Sequence, residues 1–256
     1  LCSCLRNKFN MKNKFLKVVL DNIKTLLFAL IIALIIRSLI IQPFYIPSSS
    51  MEPTLLVGDR IFVLKNTYGY SKHSFPFSPS ISNKRYFFKK PTQGDLVVFK
   101  TPKDNRTDYI KRLIGLPGDE IQFLNGDLFI NGKKIYREKI ENFNTIRCGK
   151  FILKTETFIE TLPNGVKHLS TYNKIGTLKN TIKFKVPDDH YFLMGDNRDC
   201  SKDSRFLEEV GYVNKLNLVG KAKIIFFSND TNNGSLLKLW NLHNSFRLNR
   251  TFKILQ

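Results

Sequence analysis

Residues 121–136 read IQFLNGDLFINGKKIY, and this stretch decides the fold class of the chain. Two Asn-Gly pairs, Asn125-Gly126 and Asn131-Gly132, separate three short strand-like runs. Asn-Gly is typical of the type I′ turn, because both central residues of that turn need positive φ. The stretch therefore predicts an antiparallel meander with two tight hairpins, and the pair Asn164-Gly165 predicts a further one.

Other strand patterns flank this meander on both sides. Ile61–Leu64 and Leu96–Phe99 are short apolar runs, each following a Gly-Asp pair, and they are typical of buried strands. Val219–Phe227 predicts another strand. Helical periodicity is scarce in this part of the chain, so it is predicted to be mostly β.

The N-terminal part contains one long apolar run. Residues 25–41 read TLLFALIIALIIRSLII, which is close to the minimum length for crossing a bilayer. Arg37 stands near the far end, where its side chain can reach the headgroups. The preceding segment is basic, and Asp21 is its only acidic residue; its basic residues are Arg6, Lys8, Lys12, Lys14, Lys17 and Lys24. By the positive-inside rule, the N-terminus is predicted in the cytoplasm and everything after Ile41 outside it.

Two alternatives to a membrane anchor stay open. A cleaved signal peptide has the same basic and apolar regions, but no small-x-small cleavage site follows, and residues 42–46, QPFYI, are bulky. A buried core helix is the other alternative, although the run is too uniformly apolar for an amphipathic surface helix.

The composition and the net charge limit the classes of protein to which this chain can belong. The chain has 256 residues, 42% of them hydrophobic and 12% aromatic, which excludes an intrinsically disordered protein. Its formal net charge of +20 is compatible with nucleic acid or an anionic membrane as partner. The four cysteines form no C-x-x-C pair, which argues against a structural zinc site. A disulfide between Cys148 and Cys200 stays open.

A run of three serines follows the anchor, in the stretch PSSSMEPT at residues 47–54. A serine hydroxyl is a weak nucleophile until a base takes its proton. None of the four histidines stands in a recognisable catalytic context, which leaves a lysine held neutral by burial as the candidate base.

Lys111 partly meets that requirement, since its neighbours in the stretch DYIKRLIG are largely apolar. On a strand, Arg112 would point to the opposite face. In an extended segment Ser48 would lie on the same side as Ser50, where its hydroxyl can approach a developing oxyanion. From these residues alone, a solvated serine-rich turn and a surface lysine remain open.

Three longer segments resemble the type I signal peptidases, the membrane-anchored Ser/Lys endopeptidases of bacteria. They are IQPFYIPSSSMEPTLLVGDRIFVLK at residues 41–65, GDLVVFKTPKDNRTDYIKRLIGLPGDEI at 94–121, and VPDDHYFLMGDNRDCSKDSRFLEEVGYV at 186–213, the last followed by LVGKA at 218–222. The segments occur in the order of the family and cover about a third of the chain.

The resemblance implies a role for individual residues. Ser50 would be the nucleophile and Lys111 the general base. The Ser48 hydroxyl and the Ser50 N–H would form the oxyanion hole, and Ser201 would hydrogen-bond the Lys111 amine and aim it.

Further residues would support the site and shape it. Asp203 and Arg205 would form an ion pair that holds the loop around Ser201. A shallow apolar pocket would select small side chains and so favour cleavage after an Ala-x-Ala pattern. The residues implied to line it are Phe44, Ile46, Met51, Leu55, Ile61, Val98, Tyr109 and Ile110.

The resemblance also implies the organisation of the chain: an antiparallel β catalytic core with a smaller β insert, preceded by one transmembrane helix. The predicted parts are a basic cytoplasmic N-terminus (1–24), the anchor (25–41), the first part of the catalytic core (42–119), the β insert (120–185), the second part of the core (186–234) and a basic tail (235–256). An interfacial helix is one interpretation of the tail.

The function implied is removal of signal peptides from secreted preproteins at a bacterial inner membrane. The partners would be signal peptides and the lipid bilayer, with no nucleic acid, no metal and no cofactor. A mitochondrial inner-membrane peptidase of the same superfamily and a non-enzymatic, basic, membrane-tethered binding module are the alternatives. Ser49 stands where Gly is common in the family, and Cys200 stands where Asn is common. These two departures put the efficiency of catalysis in doubt more than the membership of the family.

Overall fold

The computed structural model describes residues 2–75, 78–79, 82–149, 151–173, 179–230 and 246–255. It begins with a helix, α1, at Cys2–Leu39. Among the described residues, one helix is long and apolar enough to cross a bilayer: the 26-residue segment Lys14–Leu39, which is not buried against the rest of the chain. The helix ends slightly before the predicted limit of the anchor, because Ile41 already pairs with Leu64 in the first sheet.

Strands dominate the part of the chain after α1, as predicted. The main sheet has eight strands, in the order β1-β2-β14-β3-β4-β12-β13, with β15 also paired to β14. Its members are β1 (Ile41–Tyr45), β2 (Asp59–Leu64), β3 (Leu96–Lys100), β4 (Asp108–Gly115), β12 (His190–Met194), β13 (Val213–Asn214), β14 (Leu218–Ser228) and β15 (Lys253–Ile254). Every strand pair in it is antiparallel.

The main sheet is covered on both faces where β3 crosses it. Leu96 and Val98 belong to a core cluster with Met51 and Ile61, whereas Val97 and Phe99 belong to a cluster on the other face. Successive side chains of a strand point to opposite faces. A strand buried on both faces therefore needs an unbroken apolar run, which explains the sequence LVVF.

Two smaller sheets lie between β4 and β12 in the chain. One has the order β11-β5-β6-β7 and the other β10-β9-β8. Their strands are β5 (Glu120–Leu124), β6 (Asp127–Ile130), β7 (Lys133–Lys134), β8 (Tyr136–Cys148), β9 (Phe151–Thr161), β10 (Lys167–Asn173) and β11 (Phe184–Lys185). The first of these strands begins at Glu120 and the last ends at Lys185.

Two of the three Asn-Gly hairpins have the predicted turn. Asn125 and Gly126 have φ values of 52° and 83°, and Asn131 and Gly132 have φ values of 52° and 74°. The third prediction is wrong in its turn type, since only Gly165 of its pair has positive φ. There Asn164 instead accepts a hydrogen bond from the Val166 N–H and donates one to the Gln93 carbonyl, which ties the hairpin to the main sheet.

The predicted tail falls partly outside the described residues, which resume at Phe246. The described part forms no interfacial helix. It makes a 3-10 turn at Leu248–Arg250 and then β15, which pairs with β14. Arg250 ion-pairs with the buried carboxylate of Asp59 at 2.6 Å, so this part of the tail packs on the core.

Candidate active site

Ser50 and Lys111 meet where the turn after β1 approaches β4, an interior strand of the main sheet. Ser50 lies in a 3-10 turn at Ser49–Met51, just after β1, and Lys111 lies in β4. The Lys111 Nζ is 2.7 Å from the Ser50 Oγ, and both side chains are buried. The turn positions Ser50 next to β4, so that its hydroxyl contacts the Lys111 amine although the two residues are 61 positions apart in the sequence.

The Lys111 amine is held in an environment that disfavours its charge. Burial lowers its pKa from 10.5 to about 8, against the opposing pull of the Asp203 and Asp196 carboxylates. Arg112, the next residue, points the other way and pairs with Asp196. The predicted division of these two side chains between opposite faces of the strand is therefore present.

The predicted extended segment ends at Ser48, because Ser49–Met51 form a 3-10 turn, yet Ser48 still lies beside Ser50. Its backbone is extended, with φ −128° and ψ 154°, and its Oγ lies 3.3 Å from the Ser50 Oγ. The Ser48 side chain also lines the cavity next to Ser50. Its hydroxyl is thus placed where it can donate to an oxygen held close to Ser50.

Ser201 does not make the contact predicted for it. Its hydroxyl is buried and forms no hydrogen bond of normal geometry with any described residue, including Lys111. A Cβ added to Gly195 would lie 2.3 Å from the Ser201 Oγ, so Ser201 packs against the Gly195 backbone. Its hydroxyl is near enough to the Asp203 carboxylate to help lower the pKa of that group.

Asp203 and Arg205 form the predicted ion pair. The Arg205 Nε donates to Asp203 Oδ1 and its Nη2 to Asp203 Oδ2, both at 2.8 Å, and the pair is almost completely buried. Asp203 also accepts from the Gly195 N–H at 2.9 Å, and Arg205 donates to the Arg198 carbonyl at 2.6 Å. The pair therefore fixes both ends of the loop that faces Lys111.

Two further buried ion pairs were missed by the sequence reasoning. Arg112 donates to both oxygens of Asp196 at 2.8 Å. Arg198 donates to Glu160 at 2.6 Å, and this pair links the same loop to β9 of the insert. Burial alone would raise the pKa of Glu160, but the charge of Arg198 together with the hydrogen bonds from His168 and Tyr172 holds it well below its usual range. The only available signal was the charged sequence GDNRD between buried runs, and it did not identify the partners.

Cys148 and Cys200 form a disulfide, which resolves the alternative left open above. The bond joins the end of β8 to the loop that carries Ser201. Cys200 also lies 3.4 Å from the Ser49 Oγ. The two positions that depart from the commoner family pattern are therefore in contact, and Ser49 avoids backbone strain because it is not among the residues with positive φ.

Replacing both Cys148 and Cys200 by serine should lower the free energy of unfolding by about 2–4 kcal/mol, because the bond closes a long loop in the unfolded chain. The thermal unfolding midpoint of the detergent-solubilised double variant, compared with the wild type, measures this loss. A reductant should lower the midpoint of the wild type and leave that of the double variant unchanged. Equal midpoints for both proteins without reductant would contradict the prediction.

A cavity of about 420 Å³ opens beside Ser50 and Lys111. Seven of the eight predicted pocket residues line it: Phe44, Ile46, Met51, Ile61, Val98, Tyr109 and Ile110. Leu55 does not line it and instead packs in the core cluster beside Met51. Lining residues missed by the sequence reasoning are Tyr45, Pro47, Thr107, Asp108, Cys200 and Lys202.

Comparisons with known proteins agree with this geometry. The sequence profile of the family described as signal peptidase, peptidase S26, matches residues 19–227. Signal peptidase I of Rickettsia typhi is 40% identical, over 96% of this chain and 97% of its own. Signal peptidase I of Rickettsia prowazekii is 40% identical over 93% and 94%, and that of Rickettsia conorii is 42% identical over 88% and 89%.

A solved structure was also matched, the crystal structure of a signal peptidase I from Enterococcus faecalis V583. It is 24% identical and covers 52% of this chain and 97% of its own, with a TM-score of 0.31.

Proposed function

Since the chain belongs to the signal peptidase family, peptidase S26, we propose that it removes N-terminal signal peptides from secreted preproteins, with Ser50 as nucleophile and Lys111 as general base. One observation carries this proposal: the 2.7 Å separation between the Lys111 Nζ and the Ser50 Oγ in a buried setting. No other lysine or histidine of the described residues makes a hydrogen bond to Ser50.

The reaction follows from this arrangement. The neutral Lys111 amine takes the proton of the Ser50 hydroxyl while the Ser50 Oγ attacks the scissile carbonyl carbon. The Ser48 hydroxyl and the Ser50 N–H donate to the oxyanion, and each such donor contributes on the order of 2.7–4 kcal/mol. The Lys111 ammonium then protonates the leaving amine, which frees the mature protein. A water molecule, deprotonated by Lys111, hydrolyses the acyl-enzyme and regenerates Ser50.

Substrate choice is proposed to come from the cavity beside Ser50. Its walls are mainly apolar, and Met51, Ile61 and Val98 are themselves packed in the core, so they cannot yield to a large side chain. Small residues at positions −1 and −3 would fit, which agrees with cleavage after an Ala-x-Ala pattern.

Location is proposed from charge and redox chemistry. The family and the long apolar helix α1 indicate a membrane-anchored protein. The basic segment before the apolar run supports a cytoplasmic N-terminus, and the Cys148–Cys200 disulfide favours an oxidising, extracytoplasmic compartment for the catalytic part. Bacterial relatives favour a bacterial inner membrane over a mitochondrial one.

The experiment that tests this function uses the detergent-solubilised full chain and a secretory precursor with Ala at −1 and −3. Mass spectrometry of the products should give one cut, directly after the −1 residue. A precursor with Phe at −1 is the matched control and should stay intact. Cleavage elsewhere, or none at any pH, would refute the proposal.

Cleavage should depend on pH through Lys111. The base must be neutral, and its pKa of about 8 leaves it mostly protonated at neutral pH. We therefore expect kcat/KM to rise about tenfold per pH unit up to about pH 8 and then level off. Stopped assays across this range measure it. A rate that stays constant from about pH 5 to about pH 9 would contradict a lysine base.

The competing binding-module hypothesis is not favoured by this site. Attraction of the basic chain to nucleic acid or lipid does not require a buried amine hydrogen-bonded to a serine. Binding to nucleic acid would also weaken steeply with salt, whereas cleavage of a short apolar peptide should respond less.

A further inference from the structure

A second cavity, of about 590 Å³, lies where α1 meets the main sheet. Four basic side chains line it: Arg37 of α1, Lys65 just after β2, Lys100 of β3 and Arg106 of the β3–β4 loop. Asp108 is the one carboxylate in its described lining. The cavity therefore has a clear excess of positive charge.

Most of this charge is not neutralised within the described residues. Lys100 uses the only carboxylate, at 2.9 Å from Asp108. Lys65 donates to the Ser74 carbonyl, which carries no formal charge. The guanidinium groups of Arg37 and Arg106 make no hydrogen bond or ion pair with described residues. Two arginines and one lysine are thus left to face a ligand.

The pKa of Lys65 reflects the same excess of positive charge. Burial, and next the charge of Arg37, lower the pKa of Lys65 from 10.5 to about 8. His73, also in the lining, stays neutral, since burial lowers its pKa to about 4. An anion bound here would relieve the repulsion between these cations.

Anchoring by α1, as proposed above, would place this cavity at the depth of the lipid headgroups. Leu34 and Arg37 belong to the last turns of the membrane segment Lys14–Leu39. The helix end is held to the sheet, because the Lys65 N–H donates to the Ile40 carbonyl at 3.0 Å and the Tyr70 hydroxyl to the Leu39 carbonyl at 2.8 Å. The cavity is therefore held next to the end of the spanning segment.

The surroundings are suited to lipid rather than to a free anion. Phe75 lines this cavity and also a neighbouring apolar one, which is shared with Tyr86 and Phe87. Phe87 is 83% exposed and Tyr86 54%, and aromatic side chains of this kind concentrate at membrane interfaces. The exposed apolar surface of α1 continues from the cavity into the bilayer.

We propose that this cavity binds the headgroup phosphate of an anionic phospholipid, with Arg37, Lys65 and Arg106 as its ligands and the acyl chains along α1. The proposal rests on the proposed membrane anchoring but not on the proposed chemistry of Ser50. Phe44 and Asp108 line both this cavity and the one beside Ser50, so a bound lipid would lie directly beside the substrate. A zwitterionic headgroup fits less well, because its own cation would face the arginines.

Native mass spectrometry of the detergent-solubilised full chain, titrated with phosphatidylglycerol or phosphatidylcholine, tests the proposal. The wild type should bind phosphatidylglycerol more tightly. The double variant Arg37→Gln with Arg106→Gln should lose about 30-fold in affinity for it and bind phosphatidylcholine as before. The matched control, Lys133→Gln with Lys167→Gln, removes the same charge from exposed positions outside the cavity and should bind like the wild type.

Three results would overturn the proposal. They are equal affinity of the wild type for both lipids, full affinity of the arginine variant, and binding of inorganic phosphate as tight as that of phosphatidylglycerol, which would assign the site to a free anion. Ser50→Ala should retain the lipid preference, so a failure of the catalytic proposal leaves this one standing. Precursor cleavage by the arginine variant in lipid-free detergent should equal that of the wild type, which shows that the variant is folded.

Discussion

Ser50→Ala and Lys111→Met should each reduce cleavage of a secretory precursor by roughly 10³-fold or more. Alanine at position 50 removes the hydroxyl oxygen that is proposed to attack the carbonyl. Methionine at position 111 keeps a long unbranched side chain in the buried site but removes the amine 2.7 Å from the Ser50 Oγ. Since the nucleophile and its base act as one unit, removing either should cost nearly as much as removing both.

Single-turnover cleavage of the purified variants measures this loss, and thermal unfolding shows whether each variant is folded. Two matched controls should keep full activity. Ser170→Ala removes a buried hydroxyl that has no hydrogen-bond partner among the described residues, and Lys103→Met removes an exposed lysine. Activity of Lys111→Met within about tenfold of the wild type would assign the base to another group.

Arg112→Met should destabilise the folded protein by about 3–5 kcal/mol, because it leaves the Asp196 carboxylate buried without its cation. Both side chains are within 1% of complete burial, and the pair makes two hydrogen bonds at 2.8 Å. For a chain of this size the loss corresponds to a fall of roughly 10 °C in the unfolding midpoint. Differential scanning calorimetry of the solubilised protein measures it.

The companion variants separate charge from packing. Arg112→Met combined with Asp196→Asn should recover part of the loss, since no uncompensated carboxylate remains. Lys103→Met breaks an ion pair whose side chains are 60% and 40% exposed, and it should cost no more than about 1 kcal/mol. A loss for Arg112→Met as small as that for Lys103→Met would show that the buried pair contributes little to stability.

Much of the fold follows from local patterns that can be recognised in the sequence. The Asn125-Gly126 and Asn131-Gly132 hairpins were predicted because their turn type requires positive φ at adjacent residues, and this requirement depends on the turn alone. Asn164-Gly165 shows the limit of that reasoning, since Asn164 instead uses its side chain to bond Gln93, which lies far away in the chain. Leu55 was placed in the pocket on resemblance, and only packing shows that it lies in the core.

The candidate site likewise combines features that could be predicted from the sequence with features that only the structure shows. The approach of Ser48 to Ser50 was predicted from strand alternation, but the structure achieves it differently, with a 3-10 turn at Ser49–Met51 that follows the extended Ser48. The absence of a hydrogen bond between Ser201 and Lys111 was not predictable, since it depends on how closely Ser201 packs against Gly195. The three family segments led to Ser50 and Lys111 as the proposed reacting residues but did not predict which atoms surround them.

Patterns among neighbouring residues thus predicted two of the hairpins and the long apolar helix, and the resemblance to a family added Ser50 and Lys111 as the proposed reacting side chains. The tertiary structure alone decided which buried groups meet: Arg112 with Asp196 across 84 positions, Glu160 with Arg198 across 38, and Cys148 with Cys200 across 52. The physical reason is that turn geometry and strand alternation act over a few residues. An ion pair or a disulfide forms only after strand register and loop packing have brought distant residues within bonding distance.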